Sequence, residues 1–223
     1  MEVSRDDPKQ PLFTRDDPLG INGFFLVTKP LSEEMLKHHN IYDILNTVVH
    51  EAYPGHHVQL TYTKLCSSIV RKILIRADDL SEGWAHYCEE LMLELGIDTS
   101  PEYKLKVYHD ALWRAVRVYV DIELSTGMIS FEEAVEKLVR DAYLPRNGAF
   151  SEALRYTLNP GYQISYNYGK TKILKIRERI RKILGSKYSH SIFHRMLLEE
   201  GPLPLTILEN VLIEKAKKIA LQS

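Results

Sequence analysis

From residue 40 onward, apolar residues recur at helical spacing along most of the chain, about every three to four positions. This spacing places them on one side of an amphipathic helix, and Gly, Pro or Asn residues interrupt it where helices commonly end. The sequence therefore predicts a mainly α fold. The predicted helices cover residues 41–53, 56–75, 81–95, 101–124, 148–158, 162–184, 188–199 and 203–221, with one more helix beginning after Ser130.

Several of these helices begin with residues that are favourable at a helix start. Ser100 precedes Pro101, and proline suits the first helical position because its missing N–H is not needed there. Ser130 and Glu133 have the spacing of a capping box, and Ser81 is the predicted N-cap of the helix over 81–95. We expect the apolar face of the longest helix to be buried. Its members are Leu105, Tyr108, Leu112, Ala115, Tyr119 and Ile122.

The first forty residues follow a different pattern. Residues 1–20 contain three prolines and a repeated Arg-Asp-Asp-Pro sequence, which predict an extended arm. Residues 22–28, NGFFLVT, form an aromatic and β-branched run that predicts a short strand or hairpin. The predicted organisation is an arm over 1–20 followed by a single helical, catalytic-type domain over 21–223.

Composition and charge argue against several classes of protein. A chain of 223 residues with a net charge of -1 can bury a sizeable core but lacks the basic surface that nucleic-acid binding needs. Its apolar runs are shorter than the roughly 18 residues of a membrane span, and its polar start does not resemble a signal peptide. The two cysteines, Cys66 and Cys88, do not suggest a disulfide framework. We therefore expect a soluble cytoplasmic protein without a nucleic-acid or membrane partner.

The most informative stretch is NTVVHEAYPGHHVQL, residues 46–60. His50 and Glu51 follow an apolar run, as they do at the start of a zinc-protease helix. The second histidine of that motif normally lies four residues after the first, a position that Pro54 occupies here. The pattern is therefore either absent or stretched.

Helix geometry decides what a stretched motif requires. On an unbroken helix His56 would point about 120° away from His50, and His57 would lie about 10.5 Å further along the axis, too far to share one metal ion. Pro54 and Gly55 favour a break or bulge, because proline removes a backbone donor and glycine tolerates unusual dihedral angles. We predict that the helix breaks between Tyr53 and His56 and that His56 then joins the first histidine, with His57 as the alternative.

A third metal ligand is available in LSEGWAHYCEE, residues 80–90. Zinc hydrolases use three protein ligands and one open position for water, so we predict a Zn²⁺ site made by His50, His56 and Glu82. Glu51 is the predicted general base. The predicted residues behind the ligands, which orient them, are His57, His86 and Glu89.

Arginine and tyrosine residues surround the Asn-Pro-Gly turn in RYTLNPGYQISYNYGK. A hydroxyl or guanidinium group there would suit stabilisation of an oxyanion or capture of a substrate carboxylate. Tyr166 is the predicted catalytic residue, while Arg155, Tyr156 and Tyr162 are predicted to bind substrate. The alternative is structural, because tyrosines at helical spacing commonly belong to a core and Arg155 could form an ion pair.

Five ordered motifs resemble domain of unknown function family 885 over about residues 20–215. They are HEAYPGHHVQL, EGWAHYCEELMLELG, RAVRVYVDIELSTGMISFEEA, RYTLNPGYQISYNYGKTKI and FHRMLLEEGPLPLTILE. That family resembles the gluzincin metallopeptidases, so the resemblance implies a zincin-like helical domain and the same three zinc ligands and base. Its members are typically more than twice this length, and this chain resembles their C-terminal, motif-bearing part.

Two functions remain open at this point. The first is a zinc-dependent hydrolase, a metallopeptidase that cleaves short peptides or related amides. The alternative is a non-catalytic subunit or truncated relic that pairs with a separate N-terminal half. We also expect either a homo-oligomer or a complex with such an N-terminal portion.

Overall fold

The computed structural model describes Gly23 and residues 40–222, and residues 40–222 form ten α-helices. The mainly α prediction is confirmed, and this part of the chain contains no strand. The arm predicted over 1–20 and the strand predicted over 22–28 lie outside the described residues, Gly23 apart. The helices are α1 (Ile41–Glu51), α2 (His56–Leu65), α3 (Ile69–Leu74), α4 (Asp78–Glu94), α5 (Pro101–Ser125), α6 (Phe131–Ala142), α7 (Arg146–Leu158), α8 (Ile164–Leu184), α9 (His190–Glu199) and α10 (Leu205–Leu221).

The helix starts agree with the sequence at two places and differ at two. Ser100 caps α5, and Ser130 forms the predicted capping box of α6. The Ser81 prediction is wrong, because α4 begins three residues earlier with two aspartates, whose charge suits a helix N-terminus. The prediction of one helix over 56–75 is also wrong. The chain forms two helices there, α2 and α3, and Ser68 is the N-cap of α3.

The buried apolar residues form two clusters. The larger one lies mainly between α4, α8, α9 and α10, and the smaller one lies between α5, α6 and α7. Trp84 and Tyr87 of α4 are almost fully buried in the larger cluster, while Tyr156 of α7 is fully buried in the smaller one. Both clusters contribute helices to the candidate site described below.

The face of α5 that is buried carries charges, which corrects the sequence prediction. Four of the predicted core residues, Leu105, Tyr108, Leu112 and Ile122, are exposed by 71%, 62%, 40% and 42%. Charged side chains take the interior because they find oppositely charged or hydrogen-bonding partners there, which removes the cost of burying them alone. The buried residues of α5 are Tyr103, Val107, Asp110, Arg114, Val116, Arg117, Val120 and Asp121.

Helices α4 and α8 approach to backbone contact at a pair of glycines. A Cβ atom on Gly169 would lie 2.0 Å from the carbonyl oxygen of Asp79 and 2.6 Å from the Cα atom of Gly83. Real Cβ atoms do not approach other atoms this closely, so both positions require glycine. The contact adjoins Glu82 and holds the backbone of α8 against the helix that carries this carboxylate.

We expect Gly169→Ala to lower the free energy of unfolding by about 3 kcal/mol or more, because two helix backbones would have to separate. Chemical denaturation followed by circular dichroism measures this change. Gly148→Ala is the matched control, since its Cβ would meet only Pro145, at 3.4 Å. The control should change stability by less than about 1 kcal/mol, in the favourable direction. Equal losses in the two variants would contradict the close helix contact.

Candidate metal centre

The chain breaks between α1 and α2, as the sequence predicts. Helix α1 ends one residue after His50, the Tyr53–Pro54 peptide bond is cis, and α2 begins at His56. A Cβ atom on Gly55 would lie 1.8 Å from the carbonyl oxygen of His50, so only glycine lets the chain return this closely to the end of α1. The break brings together two histidines that an unbroken helix would separate.

Glu82 completes a group of three side chains. The imidazole centroids of His50 and His56 are 4.8 Å apart with nearly perpendicular ring planes. The Oε2 atom of Glu82 lies 3.8 Å from Nε2 of His50 and 3.4 Å from Nε2 of His56. Ligand atoms around a tetrahedral zinc ion are separated by roughly 3.3–3.6 Å, given metal–ligand bonds of about 2.0–2.2 Å. Within the described residues, His57 is not part of this group.

The carboxylate of Glu82 has one atom suited to a cation. Its Oε1 atom accepts a hydrogen bond from the Tyr162 hydroxyl, whereas its buried Oε2 atom has no hydrogen-bond partner among the described residues. Buried carboxylate oxygens normally have a partner, so this group fits a metal ion placed between Oε2 and the two imidazoles. Burial raises the pKa of Glu82, but the polar contact with the His56 imidazole 3.4 Å away and the hydrogen bond from Tyr162 outweigh burial and lower the pKa to about 2.

A fully buried carboxylate, Glu89, contacts the ring nitrogen of His50 that does not face Glu82. Its Oε1 atom lies 2.6 Å from Nδ1 of His50 and accepts a hydrogen bond of 2.7 Å from Arg114. Asn46 donates to its other oxygen at 3.2 Å. Burial raises the pKa of Glu89, but the charge of Arg114 and the hydrogen bond with His50 hold it well below its usual range. A carboxylate on Nδ1 orients the imidazole so that Nε2 faces Glu82.

Trp84 joins the break to α4. Its indole Nε1–H donates to the carbonyl oxygens of Pro54 and Gly55, at 2.9 and 3.2 Å. Trp84 was not among the site residues predicted from the sequence. The available signal was chemical: a chain that leaves a helix exposes carbonyl groups, and a buried indole N–H requires an acceptor.

A cavity of about 220 Å³ adjoins one of the three side chains, His50, and Glu51 and Tyr166 also line it. The ring of Tyr166 lies nearly parallel to the His50 imidazole, with centroids 6.3 Å apart. Burial raises the pKa of the Tyr166 phenol, so its hydroxyl remains a hydrogen-bond donor at neutral pH. Three guanidinium groups, those of Arg114, Arg117 and Arg155, also line this cavity.

Three other predicted residues each lie against a carboxylate. Tyr156 is fully buried and donates a hydrogen bond to Glu152, while Tyr162 contacts Glu82 and thus supports a candidate ligand. His86 is buried 3.6 Å from Glu89, and burial is the first cause that lowers its pKa, to about 4. These side chains support the groups around the cavity.

Asp121 was missed by the sequence analysis. This fully buried carboxylate accepts hydrogen bonds from the backbone N–H groups of Gly161 and Gln163, at 3.0 and 3.1 Å. It therefore fixes the Asn-Pro-Gly turn that precedes Tyr162 and Tyr166. An aspartate on a helix gave no sequence signal for this role, because its partners lie about forty residues later in the chain.

Comparison with known proteins adds a family and two similar structures. A family described as "Bacterial protein of unknown function (DUF885)" matches residues 9–212. A "putative lipoprotein" from Colwellia psychrerythraea is 29% identical with a TM-score of 0.75, over 80% of this chain and 31% of that one. A "putative lipoprotein of unknown function" from Shewanella oneidensis is 28% identical with a TM-score of 0.75, over 83% and 35%. No curated protein matches. The chain spans about a third of each solved relative.

We expect Trp84→Phe to lower the free energy of unfolding by about 1–3 kcal/mol, because the buried carbonyl of Gly55 and the partly buried carbonyl of Pro54 lose their donor. The same change should weaken metal binding, since the break that carries His56 is no longer tied to α4. Trp113→Phe is the matched control, because the Trp113 indole nitrogen has no hydrogen-bond partner in the described part of the chain. Denaturation and zinc titration compare the two variants, and similar behaviour in both would refute the proposed tie.

Proposed function

This chain belongs to the family of bacterial proteins of unknown function DUF885, and within that family we propose that it is a zinc-dependent hydrolase that cleaves short peptides or related amides. The observation that supports this most directly is the group made by His50, His56 and Glu82, in which a buried carboxylate oxygen faces two imidazoles. Two imidazoles and one carboxylate are a ligand set that catalytic zinc sites use. We propose that the zinc site is of the same general type as that of the gluzincin metallopeptidases.

The chain's own residues have distinct roles in this proposal. A zinc ion would act as a Lewis acid and lower the pKa of water to roughly 7. Glu51 lies next to a ligand in the sequence and lines the same cavity, so it would accept the proton of the attacking water and pass it to the leaving amine. Tyr166 would donate a hydrogen bond to the oxyanion, since its hydroxyl stays protonated. Glu89 would hold one imidazole in position.

Cellular location is a separate matter. In residues 40–222, no helix combines the length and apolar character needed to cross a membrane. The two solved relatives are described as lipoproteins, and those words apply to them. A cytoplasmic location for this chain stays a prediction.

Protein purified without a histidine tag should contain one zinc ion per chain, measured by mass spectrometry of the metal. His56→Ala should lose it, whereas His57→Ala should keep it, because only the first imidazole faces Glu82. Glu51→Gln should retain zinc and lose peptide hydrolysis by about a hundredfold or more, the contribution expected of a general base. Hydrolysis that is unchanged in Glu51→Gln, or zinc that is equally lost from both histidine variants, would sink the proposal.

A second candidate function follows from the exposed apolar residues. Ile44 of α1 and Leu105 and Tyr108 of α5 are exposed by 52%, 71% and 62%. Apolar faces of this kind commonly mark an interface. We propose as the alternative that this chain is a non-catalytic subunit, which pairs through these faces with a separate polypeptide equivalent to the remainder of its longer relatives, or with a second copy of itself.

Under this alternative, the purified chain should have no turnover and should associate as its concentration rises. Ile44→Glu should weaken that association by about tenfold, because it places a charge in an apolar interface. Leu221→Glu, at an exposed apolar residue of α10, is the control. Sedimentation velocity measures the association, and a monomer that hydrolyses peptides would exclude the non-catalytic role.

A further inference from the structure

The guanidinium groups of the small cavity differ in how their charges are balanced. Arg114 has its own carboxylate, since its Nη2 atom lies 2.7 Å from Glu89. Arg117 and Arg155 instead share a single oxygen, Oε2 of Glu152, at 2.9 and 3.0 Å. Two positive charges therefore meet one negative charge.

The imbalance is local to these two arginines. Elsewhere in the cavity carboxylates match or outnumber the cations, since Lys106 has two partners, Asp43 at 2.5 Å and Asp110 at 2.9 Å, and Glu51 also lines the cavity. The shared oxygen of Glu152 also accepts a hydrogen bond from Tyr156 at 3.0 Å, so three donors already converge on it. The Nε–H of Arg155 is buried and has no acceptor among the residues that the structure describes. At this end of the cavity, two guanidinium groups therefore share one carboxylate, and one N–H donor lacks an acceptor among the described residues.

The excess charge lies close to the metal group. The guanidinium carbon of Arg117 is 5.1 Å from the ring centre of Tyr166, and that ring is 6.3 Å from the imidazole of His50. The Tyr166 ring therefore lies near both the cationic end of the cavity and the proposed catalytic end. The two distances limit the separation of these ends to about 11 Å, which leaves room for about one or two residues of extended peptide, at roughly 3.3–3.6 Å each, once the contacts at each end are allowed for.

We infer that Arg117 and Arg155 form a subsite for the C-terminal carboxylate of the substrate, so that the preferred substrates are short peptides with a free C-terminus. A guanidinium group matches a carboxylate through paired N–H donors, which makes arginine the usual side chain for this task. The hydrolytic part of this inference rests on the proposed function, whereas the carboxylate subsite rests on the two arginines alone.

A second cavity of about 1100 Å³ gives the substrate side chain a place. It shares Thr47, Lys106, Asp110 and Trp113 with the small cavity, so the two adjoin. Its further lining includes apolar side chains, among them Leu105, Tyr143 and Leu144. An apolar residue at the C-terminus of the substrate could therefore place its carboxylate on the arginines and its side chain against Trp113.

Binding can be measured without any turnover. The full-length chain carrying Glu51→Gln is titrated by calorimetry with N-acetyl-L-phenylalanine and with N-acetyl-L-phenylalaninamide, in the presence and absence of zinc. The acid should bind about ten- to a hundredfold more tightly than the amide, the value of a charge-assisted hydrogen bond. Adding Arg155→Gln should abolish this preference, and Arg155→Lys should restore part of it. Arg177→Gln is the matched control, because that arginine pairs with Glu94 and should leave the preference intact.

The outcomes separate the subsite from the hydrolase. Equal binding of acid and amide overturns the subsite, as does a preference that survives Arg155→Gln in a variant with unchanged circular dichroism. Inorganic phosphate serves as a third probe, and tighter binding of phosphate than of the acid also overturns the carboxylate assignment. A preference seen without zinc, and lost in Arg155→Gln, supports the subsite even where no peptide is cleaved, a result that would count against the hydrolase alone. Equal hydrolysis of free-acid and amidated peptides by the wild-type chain supports the hydrolase and overturns the subsite.

Discussion

The buried carboxylate of Glu89 is the interaction on which the centre of this protein depends. It receives hydrogen bonds from α1, through His50 and Asn46, and from α5, through Arg114, while its own backbone belongs to α4. A charge buried this deeply is stable only when its partners are complete, because each unpaired group would cost several kcal/mol. The three helices are therefore held in one arrangement, and the orientation of the His50 imidazole follows from it.

Close backbone contact gives the site its precision. Gly55 allows the chain to pass directly over the end of α1, and the Gly83–Gly169 contact brings α8 against α4. Neither approach leaves room for a Cβ atom, so the backbones that carry the imidazoles, Glu82 and Tyr166 are held close together. Small residues thus determine the geometry of large polar ones.

The sequence predicted those features that depend on neighbours along the chain. Helix geometry alone required a break before His56, and the break is present because proline and glycine act locally. The buried face of α5 could not be predicted, because apolar spacing pointed to residues such as Leu105, whereas Arg114 is buried by virtue of a partner on another helix. The role of Asp121 depends likewise on the backbone of a distant turn. Tertiary pairing overrides local pattern at these positions.

The charged interior of α5 also implies an order of assembly. Chains emerge from the ribosome from the N-terminus, and domains can begin to fold as they do so. Arg114 follows its partner Glu89 in the sequence, so both are present once α5 has been made. Arg117 precedes its partner Glu152, which becomes available only when α7 has been made. The ligand group itself is completed last, because Glu82 receives the Tyr162 hydroxyl and its helix packs against Gly169 only after α7 has been made.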